Sequence, residues 1–118
     1  MEKKTILIAE DNDSNYLLLN LMLRKDYNLV RATNGKQAVQ MAHEQHPDLI
    51  LMDIRMPEMD GLQALAEIRK DLSVPVIMQS SFAYDENIKL ALDQGADGYL
   101  TKPIMVNSLL QELHKFGL

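Results

Sequence analysis

The feature that most constrains the fold of this chain is a fivefold alternation between strand-length apolar runs and segments with helical spacing. The apolar runs lie at residues 5–9, 29–32, 49–52, 74–78 and 98–100. The runs are apolar throughout instead of alternating, which is typical of parallel strands buried on both faces by helices. Five such strand–helix units predict an α/β fold, a doubly wound five-stranded parallel sheet of the flavodoxin-like type with strand order 2-1-3-4-5.

Each intervening segment carries apolar residues spaced so that they share one helix face. We expect these residues to face the core. They are Leu17, Leu18, Leu21 and Met22; Ala38, Met41 and Ala42; Leu62, Leu65 and Ile68; Ile88, Ala91 and Leu92; and Leu109, Leu113 and Phe116.

Length and composition narrow the possible functions. At 118 residues the chain fits one domain, residues 1–118. The absence of cysteine excludes disulfides and thiolate metal sites. A net charge of −5 with scattered Lys and Arg argues against direct nucleic-acid binding. No apolar stretch approaches the ~20 residues of a spanning helix, so we expect a cytoplasmic protein without membrane insertion.

Charged residues follow three of the predicted strands. Glu10 and Asp11 follow the first, Asp53 follows the third, and Lys102 follows the fifth. Ligands of a doubly wound sheet bind at the carboxyl ends of the strands, where the strand order reverses. Clustered carboxylates repel one another unless a cation lies among them, and oxygen ligands suit Mg²⁺. The pattern predicts a Mg²⁺ site at which Asp11 and Asp53 supply carboxylates and Glu10 contributes directly or through water.

The same residues suit phosphoryl transfer. A carboxylate such as Asp53 can attack phosphorus to form an aspartyl phosphate, while a metal ion and a cation stabilise the charge on the phosphoryl oxygens. Lys102 is the candidate cation. A hydroxyl donor is expected at the end of the fourth strand, where Ser80 and Ser81 are both available.

Three segments together resemble the receiver domain of bacterial two-component signalling, the CheY-like response regulators. They are Glu10-Asp11-Asn12, the segment MDIRMPEMDG at 52–61, and the segment GADGYLTKP at 95–103. The run EDNDSN at 10–15 also resembles a pattern frequent in receivers of hybrid sensor histidine kinases. A freestanding regulator and a receiver excised from a hybrid kinase both remain open.

The resemblance implies specific roles at the acidic edge. Asp53 would accept a phosphoryl group from the phosphohistidine of a sensor histidine kinase or phosphotransfer protein. Asp11, Asp53 and the backbone carbonyl of Arg55 would bind Mg²⁺, and Glu10 would hold a metal-bound water. Lys102 would pair with the phosphoryl group.

The resemblance also implies a switch. Ser80 would bond a phosphoryl oxygen, and Tyr99 would change rotamer. Together they would alter the surface of the fourth helix, fifth strand and fifth helix, to which a downstream protein partner binds. The peptide before Pro103 would be cis. Arg55 and Phe82 occupy positions at which this family varies, and we expect their bulk to lengthen the phosphoryl lifetime.

Two other interpretations are weaker. A Mg²⁺-dependent phosphatase with an aspartyl nucleophile would place a second Asp two residues after Asp53, but Arg55 stands there and cannot donate a proton at neutral pH. A non-phosphorylated interaction module is disfavoured by the complete acidic set. We therefore expect a regulatory domain, not an enzyme, whose chemistry is limited to its own phosphorylation and dephosphorylation. Asp13 should favour the helix start and Asp60 should cap a helix, instead of binding metal.

Overall fold

The structure is a computed structural model that describes residues 3–81 and 86–118, apart from the side chain of Asn87. Five strands and five helices alternate along the chain, as the sequence predicts. The strands are β1 (Thr5–Ala9), β2 (Asn28–Ala32), β3 (Leu49–Asp53), β4 (Val76–Ser80) and β5 (Gly98–Thr101). The helices are α1 (Asp13–Leu23), α2 (Gly35–Gln45), α3 (Gly61–Arg69), α4 (Glu86–Asp93) and α5 (Val106–His114).

The strands form one parallel sheet in the order β2-β1-β3-β4-β5, which confirms the predicted topology. Ala9 of β1 lies beside Met52 of β3, and Asp53 lies beside Gln79 of β4. Ser80 lies beside Thr101 of β5. The register therefore brings the ends of β1, β3, β4 and β5, and the residues that follow them, to one edge of the sheet.

Two apolar clusters cover the two faces of the sheet. Successive strand residues alternate between them: Leu7 and Ile50 belong to one cluster, and Ile6 and Leu51 belong to the other. All four side chains are fully buried. Each such burial stabilises the fold by about 1.5–3 kcal/mol, so the sheet provides a rigid support for the polar residues at its edge.

The predicted core face of α1 is wrong for three of its four residues, whereas Met22 packs against the core. Leu17, Leu18 and Leu21 are each more than half exposed, while Leu19 and Leu23 are buried. Residues 16–19 and 21–23 are all apolar or aromatic, so the spacing alone does not distinguish one face from another. Leu92 of α4 is likewise 41% exposed. The other predicted helix faces are buried or packed against the core.

Short polar side chains cap three of the helices, and of these caps Asp60 is the one predicted above. The side chain of Asn34 accepts a hydrogen bond from the backbone N–H of Gln37, and Asp60 forms a capping box with Gln63. Asn12 caps α1, so Asp13 is the first helical residue. None of the helices in the described ranges has the length and apolar character that crossing a bilayer requires.

Candidate phosphoryl and metal site

Three carboxylates meet at the edge of the sheet where β1 and β3 end. One carboxylate oxygen from each of Glu10, Asp11 and Asp53 lies within 4.8 Å of the other two. Glu10 is fully buried and Asp53 is 6% exposed, whereas Asp11 is exposed. The group therefore has a buried side and an open side, and its oxygens are of the type that Mg²⁺ prefers.

Lys102 neutralises the buried side of this cluster. Its ammonium donates to Oε1 of Glu10 at 2.8 Å and to Oδ2 of Asp53 at 2.9 Å. The Lys102 side chain is only 15% exposed. The following peptide bond to Pro103 is cis, as expected. The backbone N–H of Lys102 donates to the carbonyl of Ser80 at 2.7 Å, so the lysine is fixed to the end of the neighbouring strand.

The cluster shifts the pKa values of its members. Burial, together with the nearby Asp53 carboxylate, raises the pKa of Glu10 to about 7, although Lys102 opposes the shift. Burial lowers the pKa of Lys102, but its hydrogen bonds to Asp53 and Glu10 outweigh burial and leave the pKa above its usual value. Near neutral pH the lysine is therefore charged, while Glu10 is poised between its two protonation states.

Arg31 of β2 supports the segment that carries Glu10 and Asp11. Its Nε and Nη2 each donate to the backbone carbonyl of Glu10 at 3.1 Å, and Nη2 also donates to Asp13 at 2.8 Å. The guanidinium carbon lies 4.5 Å from the centre of the Tyr16 ring. Sequence reasoning missed this residue. The available signal was a lone basic residue in a predicted strand next to β1.

The segment between β3 and α3 closes tightly on Asp53. The backbone N–H of Arg55 donates to Oδ1 of Asp53 at 3.4 Å, and that of Gly61 donates to the carbonyl of Ile54 at 2.7 Å. A Cβ atom on Gly61 would lie 2.1 Å from the carbonyl oxygen of Asp53, so only glycine allows α3 to begin here. Asp60 caps α3 and lies outside the carboxylate cluster.

A surface depression of about 460 Å³ opens beside the cluster. Asp11 and Arg55 line it together with Ile54, Met56, Pro57, Asp60 and Leu62. The exposed Asp11 thus lies at an open depression beside the cluster. The residues that the sequence predicts at the metal site, Glu10, Asp11, Asp53 and Arg55, are therefore neighbours in the structure.

The residues predicted to form the switch occupy two different environments. Ser80 ends β4 and is 4% exposed, whereas Ser81 is exposed. Tyr99 of β5 is 45% exposed. It lines a second depression, of about 560 Å³, with Leu92, Met105 and residues of α5. Phe82 lies outside the described residues.

A parallel sheet of this order, with an acidic cluster and a lysine at its carboxyl edge, defines a class of signalling domain. The sequence profile of the response regulator receiver domain matches residues 6–114. The chain belongs to this family. Receiver domains are regulatory modules of two-component signalling.

Individual relatives agree with this assignment. The chain is 38% identical to the chemotaxis protein CheY of Halobacterium salinarum over 112 residues, with 93% of each chain covered. It is 33% identical to the polar-differentiation response regulator DivK of Brucella ovis, with 96% of this chain and 95% of that protein covered. Histidine kinase P4 of Formosa agariphila is 38% identical over 111 residues, but the match covers only 8% of that much longer protein.

Solved receiver-domain structures show the same fold. The receiver domain of the sensor histidine kinase PA1611 from Pseudomonas aeruginosa superposes with a TM-score of 0.91 at 35% identity, covering 98% of this chain and 99% of the other. That structure holds a magnesium ion in its active-site cleft. The response regulator domain of Thermotoga maritima CheB superposes with a TM-score of 0.89 at 30% identity, covering 99% and 98%.

Proposed function

We propose that this receiver domain is a Mg²⁺-dependent phosphoacceptor switch in which Asp53 takes a phosphoryl group from a phosphohistidine. The donor is a sensor histidine kinase or a phosphotransfer protein. One observation carries the proposal: a largely buried ammonium, that of Lys102, binds both Glu10 and Asp53 at the edge of a three-carboxylate cluster. Such an arrangement supplies a nucleophile, a cation and metal ligands at one place.

In the proposed reaction, a carboxylate oxygen of Asp53 attacks the phosphorus of the phosphohistidine. A P–O bond forms as the P–N bond breaks, and the imidazole leaves with the bonding electron pair. The Lys102 ammonium, which lies 2.9 Å from Asp53, exchanges a carboxylate partner for a phosphoryl oxygen. Its positive charge would then stabilise the negative charge that accumulates on the phosphoryl oxygens in the transition state.

The residues present fit a divalent cation. Asp11 and Asp53 would hold the ion together with the backbone carbonyl of Arg55, while Glu10 would bind through water. The bound ion would supply positive charge to the phosphoryl oxygens and reduce repulsion among the carboxylates. The open side of the cluster, at Asp11, favours this assignment because the incoming phosphoryl group needs access to the same face.

The apolar face of α1 suits the phosphodonor. Leu17, Leu18 and Leu21 are exposed, and Leu18 lines a small cavity with Lys102 and Pro103. This surface therefore adjoins the proposed site. A helical partner that covered these leucines would bring its phosphohistidine to the edge of the sheet, and removing them from water would favour binding.

The output surface is α4, β5 and α5. Phosphorylation adds roughly −1.5 to −2 charge at Asp53, and Ser80 and Tyr99 would couple this change to the surface depression beside Met105. Moving a two-state equilibrium from about 1:99 to 99:1 requires about 5.5 kcal/mol of preference for the active state. A downstream protein partner would bind the exposed residues of this surface, which include Leu92, Tyr99, Met105 and Val106.

Treatment of the domain with acetyl phosphate and Mg²⁺, followed by intact mass measurement, tests the proposal. We expect one added phosphate in the parent protein, none with a chelator, and none in Asp53→Asn. Asp13→Asn is a matched control, because Asp13 carries the same charge near the site but lies outside the cluster. Phosphate addition to Asp53→Asn at the parental rate would refute the assignment.

A further inference from the structure

Gln79 is a buried polar residue that the proposed function leaves unexplained. It is 1% exposed, and neither amide atom has a hydrogen-bond partner within residues 3–81 and 86–118. Burying an amide without hydrogen-bond partners is destabilising. The presence of such a group in a native fold is therefore explained by a bound water, a ligand or a functional role. An apolar residue of similar size would fill the same space without that cost.

The position of Gln79 suggests what it binds. It lies beside Asp53 in the β3–β4 register, and it lines a cavity of about 50 Å³. The other lining residues are Asn15, Leu18, Leu19, Lys102, Pro103 and Ile104. A water molecule needs roughly 10–15 Å³ of such space and two or more polar partners. The cavity is large enough, and three of its lining residues, Gln79, Lys102 and Asn15, have polar side chains.

Lys102, which lines the same cavity, has one ammonium N–H group that the contacts to Glu10 and Asp53 leave unused. An ammonium has three N–H groups. Two of them are used by Glu10 and Asp53, and within the described part of the chain the third has no acceptor. Gln79 offers an acceptor oxygen without a partner at the same cavity. A water between them satisfies the ammonium and the amide together.

We propose that this cavity is a structural water site and that Gln79, acting through the water, is a positioning residue for Lys102. The inference rests on the proposed function only for its kinetic consequence. During phosphoryl transfer, Lys102 gives up a carboxylate partner and takes a phosphoryl oxygen. The link to Gln79 remains in place during that exchange and limits the ammonium to positions near Asp53.

Gln79→Met is the test variant, because methionine matches glutamine in length and cannot form the water link. Leu19→Met is the matched control, since it alters the wall of the same cavity without changing a polar group. With saturating acetyl phosphate and Mg²⁺, we expect Gln79→Met to be phosphorylated about tenfold more slowly than the parent, equivalent to about 1.4 kcal/mol in the barrier. The Mg²⁺ concentration for half-maximal rate should change less than about threefold, and Leu19→Met should remain close to the parent.

Thermal melts and water-to-amide NOEs separate this role from simple burial. If Gln79 is satisfied by water, its side-chain amide protons show an NOE to a long-lived water, and Gln79→Met leaves the melting temperature nearly unchanged. A rise of roughly 4 °C or more with a parental phosphorylation rate would overturn the inference, because it would mark an amide that merely destabilises the fold. A missing NOE would also overturn it. A parent protein that is not phosphorylated would instead refute the proposed function and leave the water site standing on the NOE.

Discussion

Replacing Glu10 with Gln should remove a pH dependence that the acidic cluster imposes on folding in metal-free solution. The pKa of the Glu10 carboxyl is 4.5 in the unfolded chain and about 7 in the folded protein. Between these values the unfolded chain has lost the proton and the folded protein keeps it. Folding therefore takes up a proton, and the free energy of unfolding falls as the pH rises through this window.

The size of the effect follows from the same two values. They differ by about 2.5 pH units, and each unit corresponds to about 1.4 kcal/mol, so the loss between pH 4.5 and pH 8 is at most about 3 kcal/mol. Glutamine resembles the protonated carboxyl in shape and does not ionise. At pH 5 the two proteins should therefore be similarly stable with chelator present, and at pH 8 Glu10→Gln should be the more stable by a few kcal/mol.

Urea denaturation of the parent and Glu10→Gln at pH 5, 6, 7 and 8, with chelator, measures this difference. Titrations elsewhere in the chain are common to both proteins and cancel. Saturating Mg²⁺ should shrink or reverse the advantage of the variant, because the cation favours ionised carboxylates. A difference that stays constant from pH 5 to pH 8 would show that Glu10 does not keep its proton, and the description of the cluster's electrostatics would be wrong.

Three further predictions concern single contacts. Asp11→Asn should weaken Mg²⁺ binding in a spectroscopic titration by tenfold or more. Asp13→Asn loses only an exposed ion pair and should weaken Mg²⁺ binding less than twofold, and equal losses in the two variants would show that Asp11 is not a metal ligand. The hydrogen bonds of the His43 ring to the Val39 carbonyl and to Asp71 raise the pKa of His43. The stabilisation from these contacts is therefore complete below pH 6.5 and is lost as the pH rises through the raised value. Asp71→Asn removes the second contact and should reduce this pH dependence of the melting temperature, and an unchanged profile would contradict this. Arg55→Ala should hasten phosphoryl loss after donor removal, as followed by mass, because Arg55 lines the depression beside the carboxylate cluster and its bulk should keep water away. Unchanged or slower decay would reject this shielding.

The sheet could be predicted because parallel strands buried on both faces appear in the sequence as short, nearly continuous runs of apolar residues. The five strands and their order agree with the sequence reasoning, and the errors are at the ends. The fourth strand was placed at residues 74–78, but β4 runs from Val76 to Ser80. Gln79 and Ser80 are polar, so hydropathy ended the strand too early. Their pairing with Asp53 and Thr101 extends it.

The exposed leucines of α1 were not predictable from spacing. With nearly every residue from Tyr16 to Leu23 apolar, the choice of face depends on where the helix starts and how it crosses the sheet. The cap at Asn12 and the packing of Leu19 and Leu23 decide it. A site that needs a partner on this face would also keep leucines exposed, which local pattern rules do not anticipate.

At the site, the charged residues were predictable and their supports were not. Glu10, Asp11, Asp53 and Lys102 lie at the ends of strands or directly after them, so the topology of the sheet brings them together. Arg31 reaches the Glu10 carbonyl from a neighbouring strand, a contact that depends on the register of β2 with β1.

The central claim is that Asp53 is the phosphoryl acceptor, and mapping the modified residue tests it most directly. After treatment with acetyl phosphate and Mg²⁺, borohydride reduces an aspartyl phosphate to homoserine, and peptide mass spectrometry locates the change. The account predicts homoserine at position 53 and unmodified aspartate at positions 11 and 13. Homoserine at position 11 with intact Asp53, or stable phosphate on a serine, would contradict it.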